Sequence, residues 1–321
     1  MKKNVLIVGL GGIGYRHFQA VLKCKSDVVL YAVDISLEAI EKAKKYKIES
    51  GYEKEVLFYD DVRKIQNKYF DVTIIATSSK IRRNIFEQIL NNNTLRYVIL
   101  EKVLFNDLSD YKIVEEMIKK NNITVYVNCS GRQNLDYQKL RETLINAKYY
   151  KFIYRGSDWG LACNSIHKID IIAFLTNYEG KDVKLDGHLL EDKIYESKRQ
   201  GYKEFYGCFT GIMGKNIEFI FECNHGNAPC ILDIYTDKEF YSIREGDKII
   251  ICDESGSREE PFELEYISNT STTVVDNLLN NKKVFLTTYE ESINYHIPML
   301  EIFIEAQKRI TGEDKNICDI T

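Results

Sequence analysis

The residues that most constrain this chain lie at its start. Val5-Leu6-Ile7-Val8 is an apolar run of strand length that feeds into Gly9-Leu10-Gly11-Gly12-Ile13-Gly14, and a helical pattern follows. In a parallel α/β unit, G-x-G-x-x-G between a buried strand and a helix cradles the pyrophosphate of a dinucleotide. Each glycine then has its own reason. Gly9 permits the tight turn. Gly11 lets the main chain approach the phosphates, where a Cβ would collide. Gly14 lets the helix pack close to the strand. The helix start, with Gly12 and Ile13 in its first turn, offers unpaired N–H groups and a partial positive charge to the phosphates.

Asp34 narrows the cofactor. Val28 to Val33 reads as a second buried strand, and Asp34 follows it 20 residues after Gly14. That is the spacing of the acid that binds the adenosine ribose hydroxyls of NAD. A carboxylate there repels a 2′-phosphate, and Ile35-Ser36 supplies no cation, so NAD is favoured over NADP. The bland alternative is an Asp34 that only precedes the helix starting at Leu37, with Ser36 as a competing cap.

A length of 321 residues suggests two domains. With 44% hydrophobic and 29% charged residues and a formal charge of -4, the composition is that of an ordinary soluble globular protein. It recommends neither a nucleic-acid nor a membrane partner, and no apolar run reaches membrane-spanning length. Met1-Lys2-Lys3-Asn4 imitates a basic leader, but the apolar stretch behind it is short and breaks into glycines. A cytoplasmic location with reduced cysteines is therefore expected. The eight cysteines show no C-x-x-C pair and no histidines at zinc spacing, so no metal site is read.

Through residue 126, continuous apolar strands alternate with helices. The strands are read at 56–59, 71–77, 97–100 and 123–127 after the first two. This implies a doubly wound parallel sheet over residues 1–126, whose ligands bind beyond the carboxyl ends of the strands. The residues there are Gly9 to Gly14, Asp34, Thr77-Ser78, Glu101-Lys102 and Asn128. Over 127–321 the pattern becomes α/β with a large open antiparallel sheet. Its clearest period-2 segments are 202–212, 217–223, 231–236, 240–244 and 248–252, with turns at 214–216 and 245–247. Helices are read at 135–147, 164–175, 272–280 and 290–309.

Two clusters suit chemistry. A Glu101-Lys102 pair is ordinarily a solvated strand end. Directly after a buried strand of a dinucleotide fold, Lys102 suits a substrate hydroxyl and its proton. In Trp159-Gly160-Leu161-Ala162-Cys163-Asn164-Ser165-Ile166-His167-Lys168-Ile169-Asp170, the side chains of Asn164, His167 and Asp170 share a helix face. A histidine in that setting suits a general acid/base, against the plain alternative of a hydrogen-bonded structural histidine.

Together Gly9-x-Gly11-x-x-Gly14-x-Arg16-His17, Ala76-Thr77-Ser78, Glu101-Lys102, Asn128…Arg132, His167-x-x-Asp170 and His296-x-x-Met299-Leu300 resemble the glucose–fructose oxidoreductase / inositol dehydrogenase / MocA family over nearly the whole chain. The resemblance implies an N-terminal Rossmann domain and a C-terminal α/β domain whose open sheet walls the substrate pocket and commonly forms a dimer interface. It implies an NAD-dependent oxidoreductase acting on a secondary alcohol or ketone of a sugar, sugar acid or nucleotide sugar, assembled as a homodimer or homotetramer. By this resemblance Lys102 and His167 are catalytic. Gly9, Gly11, Gly12, Ile13, Gly14, Asp34, Thr77, Ser78, Glu101, Lys102 and Asn128 hold the cofactor, while Lys102, Arg132, Trp159, Asn164 and His167 meet substrate. Tyr154 and Arg155 are read as shaping the pocket.

The chain departs from the family pattern at three places. Val103 replaces the proline of E-K-P, and a cis bond before a non-proline costs about 3 kcal/mol, so Lys102 is expected to sit differently. Cys163 replaces the aspartate four residues before the histidine, leaving Asn164 or Asp170 as orienters. The T-P-x-x-x-H motif reads Thr77-Ser78-Ser79-Lys80-Ile81-Arg82-Arg83. Its Lys80, Arg82 and Arg83 read first as a solvated helix face, second as cations suited to an anionic substrate. Two other functions stay open: NAD-dependent redox-neutral sugar chemistry (glycoside cleavage or epimerisation), and a non-catalytic NAD-binding sensor.

Overall fold

Strand β1 (Lys3–Val8), helix α1 (Gly12–Lys23), β2 (Val28–Val33), α2 (Leu37–Glu49), β3 (Glu55–Tyr59), β4 (Tyr69–Ile75), α3 (Ser79–Asn92), β5 (Thr94–Leu100), α4 (Leu108–Asn121) and β6 (Thr124–Val127) open the chain in the computed structural model, which describes residues 2–321. They alternate as the apolar runs require. The strands pair in parallel in the order β6-β5-β4-β1-β2-β3. This is the doubly wound order, with its topological switch between β1 and β4.

Next come α5 (Leu135–Leu144), β7 (Tyr150–Ser157), α6 (Leu161–Leu175), β8 (Val183–Asp186), β9 (Tyr195–Glu196), β10 (Lys203–Glu204), β11 (Gly207–Met213) and β12 (Ile217–Asn224). Strands β13 (Ile231–Thr236), β14 (Phe240–Arg244), β15 (Asp247–Asp253) and β16 (Gly256–Phe262) follow, then α7 (Ile267–Leu279), β17 (Thr287–Thr288) and α8 (Tyr289–Thr311).

The chain forms two units, one of residues 1–105, 110–130 and 265–289, the other of 106–109, 131–264 and 290–321. The segment 265–289, which the sequence reading counted with the second domain, thus clusters with the first. Val274, Val275, Leu278 and Leu279 of α7 join Phe18, Val21 and Leu22 of α1 over the sheet residues Val5, Ile7, Leu30 and Ile74. Each such side chain contributes roughly 1.5–3 kcal/mol of burial. Asp276 fixes the helix by accepting from the backbone N–H groups of Lys25 and Ser26 at 2.8 and 2.9 Å. β17 then adds an antiparallel edge strand to β6.

In the second unit the eight-stranded sheet runs β16-β15-β14-β13-β7-β12-β11-β8. It is not wholly antiparallel, because β7 and β12 pair in parallel from Tyr150↔Ile217 to Ser157↔Asn224. Side chains alternate across it as period 2 demands. Ile217, Phe219, Phe221 and Cys223 are buried and Glu218 and Asn224 exposed. The single segment read at 202–212 is broken into β10 and β11, because the backbone at Gly207 turns to φ +100°.

Candidate functional site

The glycine turn is shaped from within at two positions and left open at two. Gly9 has φ +93°, and a Cβ on Gly14 would lie 1.9 Å from the Gly9 carbonyl oxygen. Both glycines are demanded by the fold itself. A Cβ on Gly11 or Gly12 would meet no atom of the described residues within 4 Å. The main chain there faces open space, where a bound group can approach. The first helical bond runs from Tyr15 N to Gly11 O, and a helix leaves its first N–H groups without intrahelical partners.

Asp34 stands beside this turn. Its carboxylate accepts from Leu10 N at 2.5 Å and Ser36 N at 2.8 Å. The cap of α2 is Ser36, whose hydroxyl accepts from Ala39 N, so capping does not explain Asp34. Ile35 next to it is 86% exposed. At the end of β4, across the switch point from β1, Thr77 Oγ1 is buried with no hydrogen-bond partner among the described residues. Ser78 starts α3 without a side-chain cap bond. An open glycine cradle, a carboxylate at the end of β2 and an orphaned hydroxyl together fit a dinucleotide.

Glu101 and Asn128 close the other side of this unit. The Glu101 Oε1 accepts from His17 Nε2 at 2.7 Å and from Asn128 Nδ2 at 2.6 Å, all three side chains buried. Burial works against the ionised carboxyl. The His17 and Asn128 hydrogen bonds, with the nearby Arg82 charge, outweigh it and hold its pKa below the usual value. The other ring nitrogen, His17 Nδ1, is buried with no hydrogen-bond partner among the described residues. Lys102 follows, half-buried, between Glu101 and the wholly buried Val103. The Lys102–Val103 peptide is cis, contrary to the expectation drawn from the missing proline.

Arg82 corrects both readings made of it. It is neither solvated nor a rim cation but 1% exposed, donating to the carbonyls of Thr77, Val103 and Leu104. Arg83 pairs with Glu87 and Asp110, and Lys80 is exposed.

In the second unit Trp159 donates from Nε1 to Glu222 O at 2.8 Å and meets Tyr154 edge-on. Gly160 takes φ +79° and starts α6, and Asn164 Nδ2 donates to Trp159 O at 2.6 Å. The buried Glu204 carboxylate accepts from Ala162 N at 2.6 Å, in the first turn of α6, where a negative charge is favoured. His167 is half-buried on the next turn. Its neighbour Lys168 pairs with Glu245 at 2.6 Å and lies over the Tyr154 ring.

Arg132 donates to Asp170 and Glu291, each at 2.8 Å, and is 7% exposed against 1% for Asp170. Burial opposes its charge, but the two carboxylates raise its pKa further. Arg155, read as pocket-shaping, lies on the sheet face opposite Tyr154 and pairs with Asp233.

The sequence assigns no role to Glu204, whose partner Ala162 lies 42 residues away, and it misplaces Arg82, two of whose acceptors lie 21 and 22 residues on. His17 was quoted only as part of a motif. One signal was available for it, since a position three residues after Gly14 falls one helical turn on.

Residues 3–129 match the family described as oxidoreductase family, NAD-binding Rossmann fold (Gfo/Idh/MocA). No curated protein matches the chain by sequence. Among solved structures it is similar to an oxidoreductase from Agrobacterium radiobacter in complex with NAD+, L-tartaric acid and magnesium (TM-score 0.71, 15% identity, 98% of each chain covered). It is similar to scyllo-inositol dehydrogenase from Lactobacillus casei with bound NAD(H) and scyllo-inositol (TM-score 0.64, 17% identity, 98% of this chain and 97% of that one). It is also similar to a super-repressor mutant of Gal80p from Saccharomyces cerevisiae (TM-score 0.69, 14% identity, 98% and 97%). At such identities these likenesses show a shared fold.

Proposed function

The chain belongs, through residues 3–129, to the Gfo/Idh/MocA oxidoreductase family, and from this premise we propose that it moves a hydride between NAD and a secondary alcohol or ketone of a sugar-like substrate. The observation that carries the proposal is the first unit's arrangement of open glycine turn, Asp34 carboxylate and half-buried Lys102. The glycine turn and Asp34 hold the pyrophosphate and the ribose hydroxyls. NAD, when bound, supplies a two-electron acceptor. Lys102 holds the substrate hydroxyl and takes up its proton as the carbon loses hydride, and His167 is assigned a general acid/base role. Asn164 and Trp159 contact the substrate. The substrate class is a sugar, sugar acid or nucleotide sugar, which the scyllo-inositol and tartaric acid of the similar structures support.

We also propose a homodimer or homotetramer built on the face of the large sheet opposite Tyr154. Ile212 and Tyr235 are 46% and 41% exposed there.

The test is NADH formation with a panel of polyols, sugar acids and nucleotide sugars. Lys102→Met and His167→Ala are each expected to lower turnover at least about 100-fold while NAD still binds. Unaltered turnover in both variants would refute the catalytic assignment. One other reading has support, a non-catalytic NAD-binding partner protein. It rests on the likeness to Gal80p and on Cys163 at the acid position, and it predicts tight NAD binding without turnover on any member of the panel.

A further inference from the structure

We propose that Arg82 is a positioning residue for Lys102, a role that rests on the hydride-transfer reading above. After β5 the chain leaves the sheet as an irregular segment, yet Val103, Leu104 and Phe105 are completely buried. Buried main-chain carbonyls need donors. Arg82 Nη1 supplies two of them, to Val103 O and to Leu104 O at 2.5 Å. Tyr111 supplies another, its hydroxyl donating to Phe105 O at 3.1 Å.

The guanidinium does more than satisfy that segment. Its Nη2 donates to Thr77 O, at the end of β4. One rigid fork therefore ties the chain beyond β4 to the chain just after Lys102. On the other side of Lys102, the Glu101 carboxylate is held by His17 and Asn128. Lys102 is thus fixed from both flanks, by side-chain bonds before it and main-chain bonds after it. Only arginine presents several donors in a planar, fixed geometry; lysine offers a point charge on a flexible stem. The Arg82 charge also favours the ionised form of Glu101. Positions 82 and 103 are two of those at which the chain departs from the family pattern, and the structure brings them into direct contact.

The experiment is Arg82→Lys in the full chain, with NAD affinity, turnover, KM and amide hydrogen exchange measured together. Turnover is expected to fall about 10–100-fold, the scale of a small misplacement of a reacting group. The KM and the NAD affinity are expected to stay near native. The amides of residues 102–106 are expected to exchange faster, and those of β1 and α1 as in the native protein. The proposal is overturned if turnover is native, if NAD affinity falls as far as turnover, or if exchange at 102–106 is unchanged. Arg82→Gln serves where Arg82→Lys does not fold. If neither folds, the residue's role is not separable from stability and the proposal fails. If the native protein transfers no hydride to any compound in the panel, the functional reading falls. Exchange at 102–106 with NAD bound then decides the clamp by itself.

Discussion

The glycine turn of the first unit and the Arg132 network of the second are built by opposite means. In the turn, main-chain geometry does the work. Gly9 and Gly14 are required by atoms within a few residues or on the adjacent strand, and Asp34 reaches Leu10 from the neighbouring strand end. In the network, side-chain charge does the work. Arg132 is held by Asp170 and Glu291, 38 and 159 residues away. A site made of local backbone shape leaves a motif in the sequence. A site made of remote charge partners leaves isolated residues whose pairing only the fold reveals.

This contrast can be broken experimentally. The largest expected effect is in the network. Arg132→Leu removes the cation from a carboxylate that is 1% exposed and should destabilise the protein by about 3–5 kcal/mol. Urea titration followed by a probe in the second unit measures it. A loss below about 1 kcal/mol would mean that Asp170 finds other compensation and that the network is not charge-held. Next comes the turn. Gly14→Ala forces a methyl group against the Gly9 carbonyl and should cost about 3 kcal/mol, whereas Gly11→Ala meets open space and should melt like the native protein. The same Gly11→Ala should weaken NAD binding at least about tenfold, roughly 1.4 kcal/mol. If both variants melt alike, the division between fold-required and ligand-required glycines is wrong.

What was legible follows the same division. The strands of the first unit could be placed because a fully buried parallel strand is a continuous apolar run, and β1 and β2 emerge where Val5 to Val8 and Val28 to Val33 put them. The return of α7 to the first unit was not legible. Its apolar face is no different from one packed on the second, and only its contact with α1 decides. The parallel pairing of β7 with β12 was equally silent, since alternation fixes which face a side chain takes and not the direction of the neighbouring strand. Among the candidate site residues, Arg82 shows the limit most clearly. Followed by Arg83 on a helix it reads as a solvated stripe, and its burial depends on carbonyls of a segment more than 20 residues on.

The smallest predicted effect lies between the two extremes, at a buried charge held by hydrogen bonds next to the turn. Burial alone would raise the pKa of Glu101, and the bonds from His17 and Asn128 bring it below the ordinary value of 4.5. A carboxyl depressed in the folded state adds stability above its unfolded pKa, and that stability is lost as pH falls through the folded one. Asn128→Leu removes one donor at 2.6 Å and leaves the burial in place, so the folded pKa of Glu101 must rise. Two results are expected. At neutral pH the variant loses about 1.5–3 kcal/mol, the worth of a hydrogen bond to a charged group. Its acid unfolding also begins at a higher pH than in the native protein. Melting temperatures recorded from neutral pH downward separate the two contributions. A variant whose acid midpoint does not move would show that His17 and Arg82 suffice to keep Glu101 ionised, and that Asn128 stands at the end of β6 for some purpose other than holding that carboxylate.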